Sequence, residues 1–557
     1  MIGPGASQSP ADPPPRAPAL LDRHAVPAAA PAPVSPGPVS PGPVSPGPTP
    51  PGPEDPLAAT QTELVGINRQ KLTHQQAFRP IRPAVALRSP AVMMMMMKTT
   101  VRRLLPLRFL STGAPSSSCS ARGPRLDPGP LSFQDPGAFR VKSTKELLRA
   151  LAVFRFCSIP LLVNNCDKLL TVARGVLGRR GLSLLLRPFV YAQFVAGETE
   201  GEISRSMTKM ADLGLRPMLA VPLEEDLGES TGEQRYEENM ASMLECVRLS
   251  HSNTWTTDPM MQLKITALLS PELCVKLTEL LKHQTSVDLE VLLRGLNGEP
   301  IRFPGLDERE NAHLLCGLKR LNTIAVASVH KVRVLVDAEY TYMNPALSLV
   351  TMAMMKKFNQ GGVWIWNTYQ CYLKEARGFL QEALDVSSRE GFSLGVKLVR
   401  GAYMDKERRQ AEKEDRPDPV HDSWENTNHS YNGNMELLMD LISQDPQRYR
   451  VIIATHNEES VRRTVQRIEE LGVDKGGGSV CFGQLLGMCD HVSLTLAEQG
   501  YAVYKSVPYG SVEDTMPYLV RRAQENRTVL QGIRKERDLL RLELHRRMRL
   551  GRGAARA

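Results

Sequence analysis

The sequence predicts an α/β protein: a distorted (βα)8 barrel of the TIM type, eight parallel strands closed on themselves and wrapped by helices. Two observations predict it. Between about residues 188 and 528, short β-branched runs alternate with longer amphipathic stretches, the pattern of a parallel sheet covered by helices. The polar clusters all fall where a run ends, which is the catalytic face of such a barrel. A doubly wound open sheet explains the alternation equally well, but it gathers polar residues at a single switch point.

Eight runs read as strands: Phe189 to Gly197, Arg216 to Pro222, Gln262 to Leu268, Val332 to Asp337, Val363 to Tyr369, Leu394 to Val399, Arg450 to Thr455 and Ser479 to Gln484. The connection from Ser270 to Lys331 is long and helical, an elaboration outside the barrel. Residues 131–185 read as an apolar helical arm packed on the exterior, and 186–530 as the barrel. Cys489 to Gly500 reads as a helix and Tyr501 to Pro508 as an extended link. Ser511 to Glu525 is the last barrel helix, with Ser511 as its cap and Glu513 and Asp514 in the first turn. Residues 531–557 form a basic C-terminal helix or tail.

At 557 residues and 42% apolar side chains, the chain can hold a barrel as one unit with appended segments. Its net charge is +9, but much of the basic excess sits near the ends, in Arg102, Arg103, Arg108, Arg122, Arg125 and the tail from Arg534 to Arg556. No nucleic-acid partner is expected from that distribution. Residues 1–92 are rich in Pro, Ala and Ser and repeat Val-Ser-Pro-Gly-Pro from Val34, Val39 and Val44. Such a leader is expected to be disordered. Residues 93–130 begin with Met93 to Met97, carry Arg102, Arg103 and Arg108, and hold no acidic residue before Asp127. That is the composition of a mitochondrial transit peptide. Import signals are read at a terminus, so its internal position implies a start at one of Met93 to Met97, or a leader that is an artefact of gene prediction or belongs to an alternative isoform; a basic linker is the other reading. Nine scattered cysteines without a C-x-x-C pair point to free buried thiols in a reducing compartment and to no metal site. No uncharged apolar run approaches the length of a membrane span.

Neither a G-x-G-x-x-G after a strand nor a G-x-x-x-x-G-K-[ST] occurs, so a redox cofactor has to be held by the barrel mouth itself. Six segments carry the chemistry: Val336-Asp337-Ala338-Glu339, Asn367-Thr368-Tyr369-Gln370, Val399-Arg400-Gly401-Ala402-Tyr403, Ala454-Thr455-His456-Asn457-Glu458, the run Tyr504 to Gly510, and Leu519-Val520-Arg521-Arg522-Ala523-Gln524-Glu525-Asn526. In the last, two guanidinium forks stand one helical turn before Glu525; they can clamp a carboxylate while Glu525 orients them. An exposed basic helix with one internal ion pair is the plain alternative. Taken in order, the six closely resemble the proline dehydrogenase family, from about Phe133 to about Arg546, and within it the animal branch that oxidises hydroxyproline.

The resemblance implies FAD-dependent oxidation of trans-4-hydroxy-L-proline to 1-pyrroline-3-hydroxy-5-carboxylate, with electrons passed to a membrane quinone. It also implies a mitochondrial location on the matrix side of the inner membrane, with peripheral contact through the apolar arm or the basic tail. Carried over position by position, it assigns Ala338, Asn367, Lys397, Val399, Arg400, Gly401, Ala402, Thr455, His456 and Gln484 to FAD. Asn367 departs from the pattern, since many bacterial members have Gln there, and Lys397 stands where they have Arg. Asp337, Lys397 and Tyr403 form the catalytic centre, Asp337 and Tyr403 shaping the pocket. Lys264, Arg521 and Arg522 hold the substrate carboxylate, Glu525 supports the arginines, and Glu198 pairs with Arg521 as a lid contact. Ser506 stands where related proline dehydrogenases carry a tyrosine; its small hydroxyl leaves room and a partner for a 4-hydroxyl group. Three other readings stay open: a proline dehydrogenase with a relaxed pocket, a Schiff-base lyase acting through Lys264, and a non-catalytic barrel.

Overall fold

The computed structural model describes residues 131–554 apart from 224–231, 253–254, 283–288 and 529. The leader 1–92 and the transit-like segment 93–130 lie outside the described residues, as does the side chain of Glu525. Eight parallel strands close a barrel in sequence order: β1 (Arg216–Ala220), β2 (Met260–Leu263), β3 (Arg333–Val336), β4 (Ile365–Gln370), β5 (Leu394–Val399), β6 (Tyr449–Ala454), β7 (Val480–Leu485) and β8 (Val503–Pro508). β8 returns to β1 in a continuous register from Arg216 opposite Tyr504 to Ala220 opposite Pro508.

The fold class is the expected one, but the set of strands is shifted by one. Phe189 to Gly197 is not a strand. Arg187–Tyr191 forms one π-helical turn and Ala192–Phe194 a helical turn. A short apolar run fits a buried helix as well as a buried strand, and Pro188 at the first turn favours the helix. The strand that closes the barrel is the stretch read as a link. Lys505 and Ser506 interrupt its apolar pattern, yet both are buried, on opposite faces. Tyr504 lies with Met218, Met260, Leu335, Trp366, Ile452 and Cys481 in the barrel interior, whereas Val503 and Val507 pack outward. Strand alternation therefore turns Ser506 inward and Lys505 outward.

The helical arm is present as α1 (Thr144–Cys157) and α2 (Cys166–Leu186). α1 opens on a capping box between Ser143 and Glu146, worth about 1 kcal/mol by comparison with similar caps. After α3 (Glu200–Asp212), the strands alternate with α4 (Glu233–His251), the elaboration α5 (Pro271–Leu281), α6 (Leu289–Leu296) and α7 (Glu308–Ser328), then α8 (Asn344–Phe358), α9 (Ala376–Glu390), α10 (Met404–Lys413), α11 (Trp424–Gln444), α12 (Glu458–Leu471) and α13 (Asp490–Glu498). The arginine helix α14 (Met516–Thr528) begins later than expected. Ser511 accepts from Asp514 N in a turn that precedes it. Val153 and Cys157 of α1, with Tyr191 and Phe194, pack in one cluster with Tyr518, Leu519 and Ala523 of α14.

The basic tail is a docked helix, α15 (Leu530–Ala554). Its Glu536 carboxylate accepts from the backbone N–H groups of Cys489 and Asp490, each at 2.9 Å, and so satisfies the open end of α13. Arg547 donates to the carbonyls of Phe139, Arg140 and Lys142. Among the described residues every cysteine is a free thiol, and all but Cys316 are buried.

Candidate active site

The C-terminal ends of β2, β3, β5 and β8 bring four side chains into one hydrogen-bonded chain. Lys397, inward on β5, donates to Asp337 Oδ1 at 2.5 Å. Asp337 follows directly on β3. Gln262 of β2 donates to the same carboxylate at 3.4 and 3.5 Å. Ser506 Oγ donates to Gln262 Oε1 at 2.5 Å. Beside this chain Glu339 is buried and accepts from Thr266 Oγ1 at 2.6 Å. Burial raises its carboxyl pKa, against the opposing charge of Lys264. Tyr403 tilts onto the Tyr340 ring with centroids 4.5 Å apart. Burial pushes its hydroxyl well up, Arg521 opposes that, and Glu339 and Asp337 add to it. Lys264, Asp337, Lys397, Tyr403 and Arg521, expected together, therefore share one mouth.

Arg522 is buried, its guanidinium 4.8 Å from the Tyr518 ring centroid. It faces His456, whose pKa falls to about 3 through burial, reinforced by the charges of Lys505 and Arg522. His456 is neutral, and its Nε2 accepts from Leu485 N at 3.3 Å. That bond assigns the proton to Nδ1. Lys264, Lys397, Arg521 and Arg522 outnumber Asp337 and Glu339, so the mouth attracts an anion.

Three residues stand elsewhere than expected. Asn367 lies on the outer face of β4 and donates to Ser348 Oγ of α8 at 3.2 Å. With Trp366 inside, alternation puts Asn367 outside and Gln370 inside. Gln484 is likewise turned outward, accepting from Ser493 Oγ of α13 at 3.0 Å. Glu198 is engaged by Arg187 at 2.9 Å instead of Arg521, in a latch that also holds Glu202 at 2.7 Å.

The face expected to take a cofactor runs from β4 to β6. Gln370 Nε2 donates to Glu339 O and Tyr372 Oη, while its buried Oε1 has no hydrogen-bond partner among the described residues. A buried acceptor left open at the mouth suits a ring N–H. Arg400, after Val399 at the end of β5, donates to Asn428 and, at 2.7 Å, to Ser460 Oγ. It stacks on Tyr431 at 5.0 Å, and its buried Nε also lacks a partner among the described residues. Gly401 and Ala402 are exposed beside it. Thr455 Oγ1 accepts from Asn457 N, and Asn457 caps α12. Ala338 follows Asp337 at the end of β3. A cation and a helix N-terminus suit a phosphate, and an open acceptor suits a ring N–H, the two needs of a phosphate-bearing ring cofactor. Gln262 was missed in the sequence, and Glu339 and Gln370 stood in the chemistry-bearing segments without an assigned role; period-two spacing from Lys264 and Trp366 marks Gln262 and Gln370.

Comparison with known proteins bears on this mouth. The profile of the family described as proline dehydrogenase matches residues 204–535. The chain is 52% identical to the hydroxyproline dehydrogenase of Xenopus laevis, over 79% of this chain and 98% of that one. It is 46% identical to the hydroxyproline dehydrogenase of Bos taurus, over 78% and 98%. It is 30% identical to the human protein named proline dehydrogenase 1, mitochondrial, over 81% and 98%. A crystal structure of proline utilization A from Bdellovibrio bacteriovorus shares the fold with a TM-score of 0.51 at 19% identity, over 72% of this chain; the chain spans 39% of that protein's length. With its profile, its relatives and its closed barrel in agreement, the chain belongs to the proline dehydrogenase family.

Proposed function

We propose that this oxidoreductase, which acts on a proline-like amino acid, is specific for trans-4-hydroxy-L-proline, uses FAD and yields 1-pyrroline-3-hydroxy-5-carboxylate. The observation that carries the reading is Ser506, a small hydroxyl facing inward on β8 and bonded to Gln262. The names of the Xenopus and bovine relatives support it. FAD fits the open acceptor of Gln370 and the Arg400 face, with Lys397, Thr455, His456, Gly401 and Ala402 lining the same rim. When bound, it supplies the two-electron acceptor for the hydride that leaves the ring carbon next to nitrogen. The chain's own part is placement. Arg521, Arg522 and Lys264 hold the carboxylate, and Asp337 with Tyr403 closes the pocket around the ring. The ring nitrogen loses its proton to solvent as the C=N bond forms.

The mitochondrial name of the human relative supports the targeting role of residues 93–130. The arm supports a peripheral membrane contact, which would give access to a membrane quinone as the electron acceptor. α2 exposes Val172, Val176, Leu177 and Leu184 beside Arg174, Arg179 and Arg180. No acidic residue occurs from 168 to 197. α2 turns at Gly178, and Arg174 and Arg179 lie 3.9 and 3.5 Å from Glu513; the apolar side chains and the remaining basic excess suit an anionic interface. No helix among the described residues is long and apolar enough to cross a membrane. The test is turnover of hydroxyproline and proline side by side with a soluble quinone. Hydroxyproline is expected to be preferred about tenfold or more; preference for proline selects the relaxed proline dehydrogenase instead.

A further inference from the structure

The chain of bonds across the mouth has a direction, and one end fixes it. Lys397 can only donate. Asp337, ion-paired with it at 2.5 Å, presents only acceptors. Gln262 therefore has to turn its amide NH2 towards Asp337, at 3.4 and 3.5 Å, which leaves its carbonyl Oε1 facing Ser506. The serine in turn commits its single O–H to Gln262, at 2.5 Å. What Ser506 offers to anything else in the mouth is a lone pair.

We infer that Gln262 sets this polarity and makes the site selective for a substrate ring bearing a hydrogen-bond donor opposite Ser506. The inference rests on the hydroxyproline reading and narrows it from a site with room for an oxygen to a site that demands an O–H. A ring hydroxyl donates to Ser506. A fluorine on the same ring carbon can only accept, and it meets a lone pair. Unsubstituted proline leaves the serine O–H satisfied by Gln262, so its penalty is the smaller one. Without Gln262 the serine is free to rotate and donate, and the distinction between donor and acceptor substituents disappears. Gln262 acts through Ser506 and is a positioning residue.

The experiment compares kcat/KM for trans-4-hydroxy-L-proline, trans-4-fluoro-L-proline and L-proline in the FAD-loaded wild type, Gln262→Leu and Gln262→Asn, the last too short to reach Ser506. The lower reactivity of a fluorinated ring cancels when the hydroxy-to-fluoro ratio is compared between proteins, and a ratio is independent of the fraction of folded enzyme. The expected result is a fall of that ratio by about tenfold in both variants, read mainly in KM. An unchanged ratio in both variants, or in whichever of them folds, overturns the inference while leaving the hydroxyproline reading intact. Should neither variant fold, wild-type KM values decide: a fluoro ring bound as well as a hydroxy ring overturns it, and one bound worse than proline supports it. A wild type that prefers proline to hydroxyproline instead overturns the functional reading itself.

Discussion

Lys505 Nζ lies 2.8 Å from Asp490 Oδ1, a buried ion pair joining the outer face of β8 to the first residue of α13. Lys142, ahead of the arm helix α1, reaches the same carboxylate. Burial alone would push Asp490 up, but the two ammonium groups hold it well below the usual carboxylate range. Lys505 also donates to the carbonyls of Leu485 and Met488. The residue next to Ser506 is thus an anchor on the opposite face of the strand.

Asp490→Asn leaves Lys142 and Lys505 without their shared carboxylate. Breaking a buried pair in this way costs about 3–5 kcal/mol. Urea unfolding of the FAD-loaded protein should show a midpoint lowered accordingly. A change under about 1 kcal/mol would mean that solvent or Glu536 compensates.

Arg521→Met and Arg522→Met should each raise KM for hydroxyproline steeply while FAD stays bound. The two guanidiniums stand on α14, whereas Arg400 follows β5 and Gln370 ends β4. Losing one partner of a buried charge pair costs about 2–5 kcal/mol. Steady-state kinetics with the flavin absorbance of the purified variants checks both halves, and normal kinetics would remove the clamp.

Ser506→Tyr should lower kcat/KM for hydroxyproline and raise it for proline, moving the ratio by about tenfold, or about 1.4 kcal/mol. The phenol points inward and takes over a position beside Gln262, so it need not be left without a partner. A ratio that moves by less than about twofold with full FAD occupancy places specificity elsewhere in the pocket.

His456 predicts a pH dependence. Its pKa is lowered from 6.5 to about 3 by burial and the neighbouring cations. The unfolded chain therefore binds a proton that the folded chain refuses, so this residue contributes stability above pH 6.5 that is lost as pH falls towards 3. Between pH 7 and pH 5 the loss is about 2 kcal/mol. His456→Gln keeps an acceptor for Leu485 N without a titrating group. Its unfolding free energy should fall less than the wild type's over that interval; equal slopes would rule the effect out.

Residues 97–130 fused to a reporter should carry it to mitochondria, and removing residues 1–92 should leave import intact. The ground is that segment's Arg-rich composition, with no acidic residue before Asp127. Cytosolic retention of the fusion, scored by fractionation, would sink the targeting claim.

The barrel was legible because helical and strand periods alternate cleanly, and the mouth because its motifs stand at strand ends. Strand identity was less so. Phe189 to Ala192 is apolar in every register, so its period says nothing, and β8 is disguised by Lys505, whose partner Asp490 is brought close only by folding. Asn367 misled through its amide, since motif position ignored that Trp366 already faces inside. Glu198 misled because the reach of Arg187 depends on a π-helical turn that composition does not mark. Gln262 could have been found by counting back two from Lys264.

The seam between β1 and β8 sets an order of events for a newly made chain. Met218 and Ser506 are partners across it, so the growing sheet keeps two open edges, on β1 and β7, until almost the whole barrel sequence is available. Contacts so distant in sequence form slowly, and unpaired edges invite pairing with other chains in the meantime. The seating of Ser506 beside Gln262 is consequently among the last events of folding, and the newly made chain depends on being shielded until that last strand is in place.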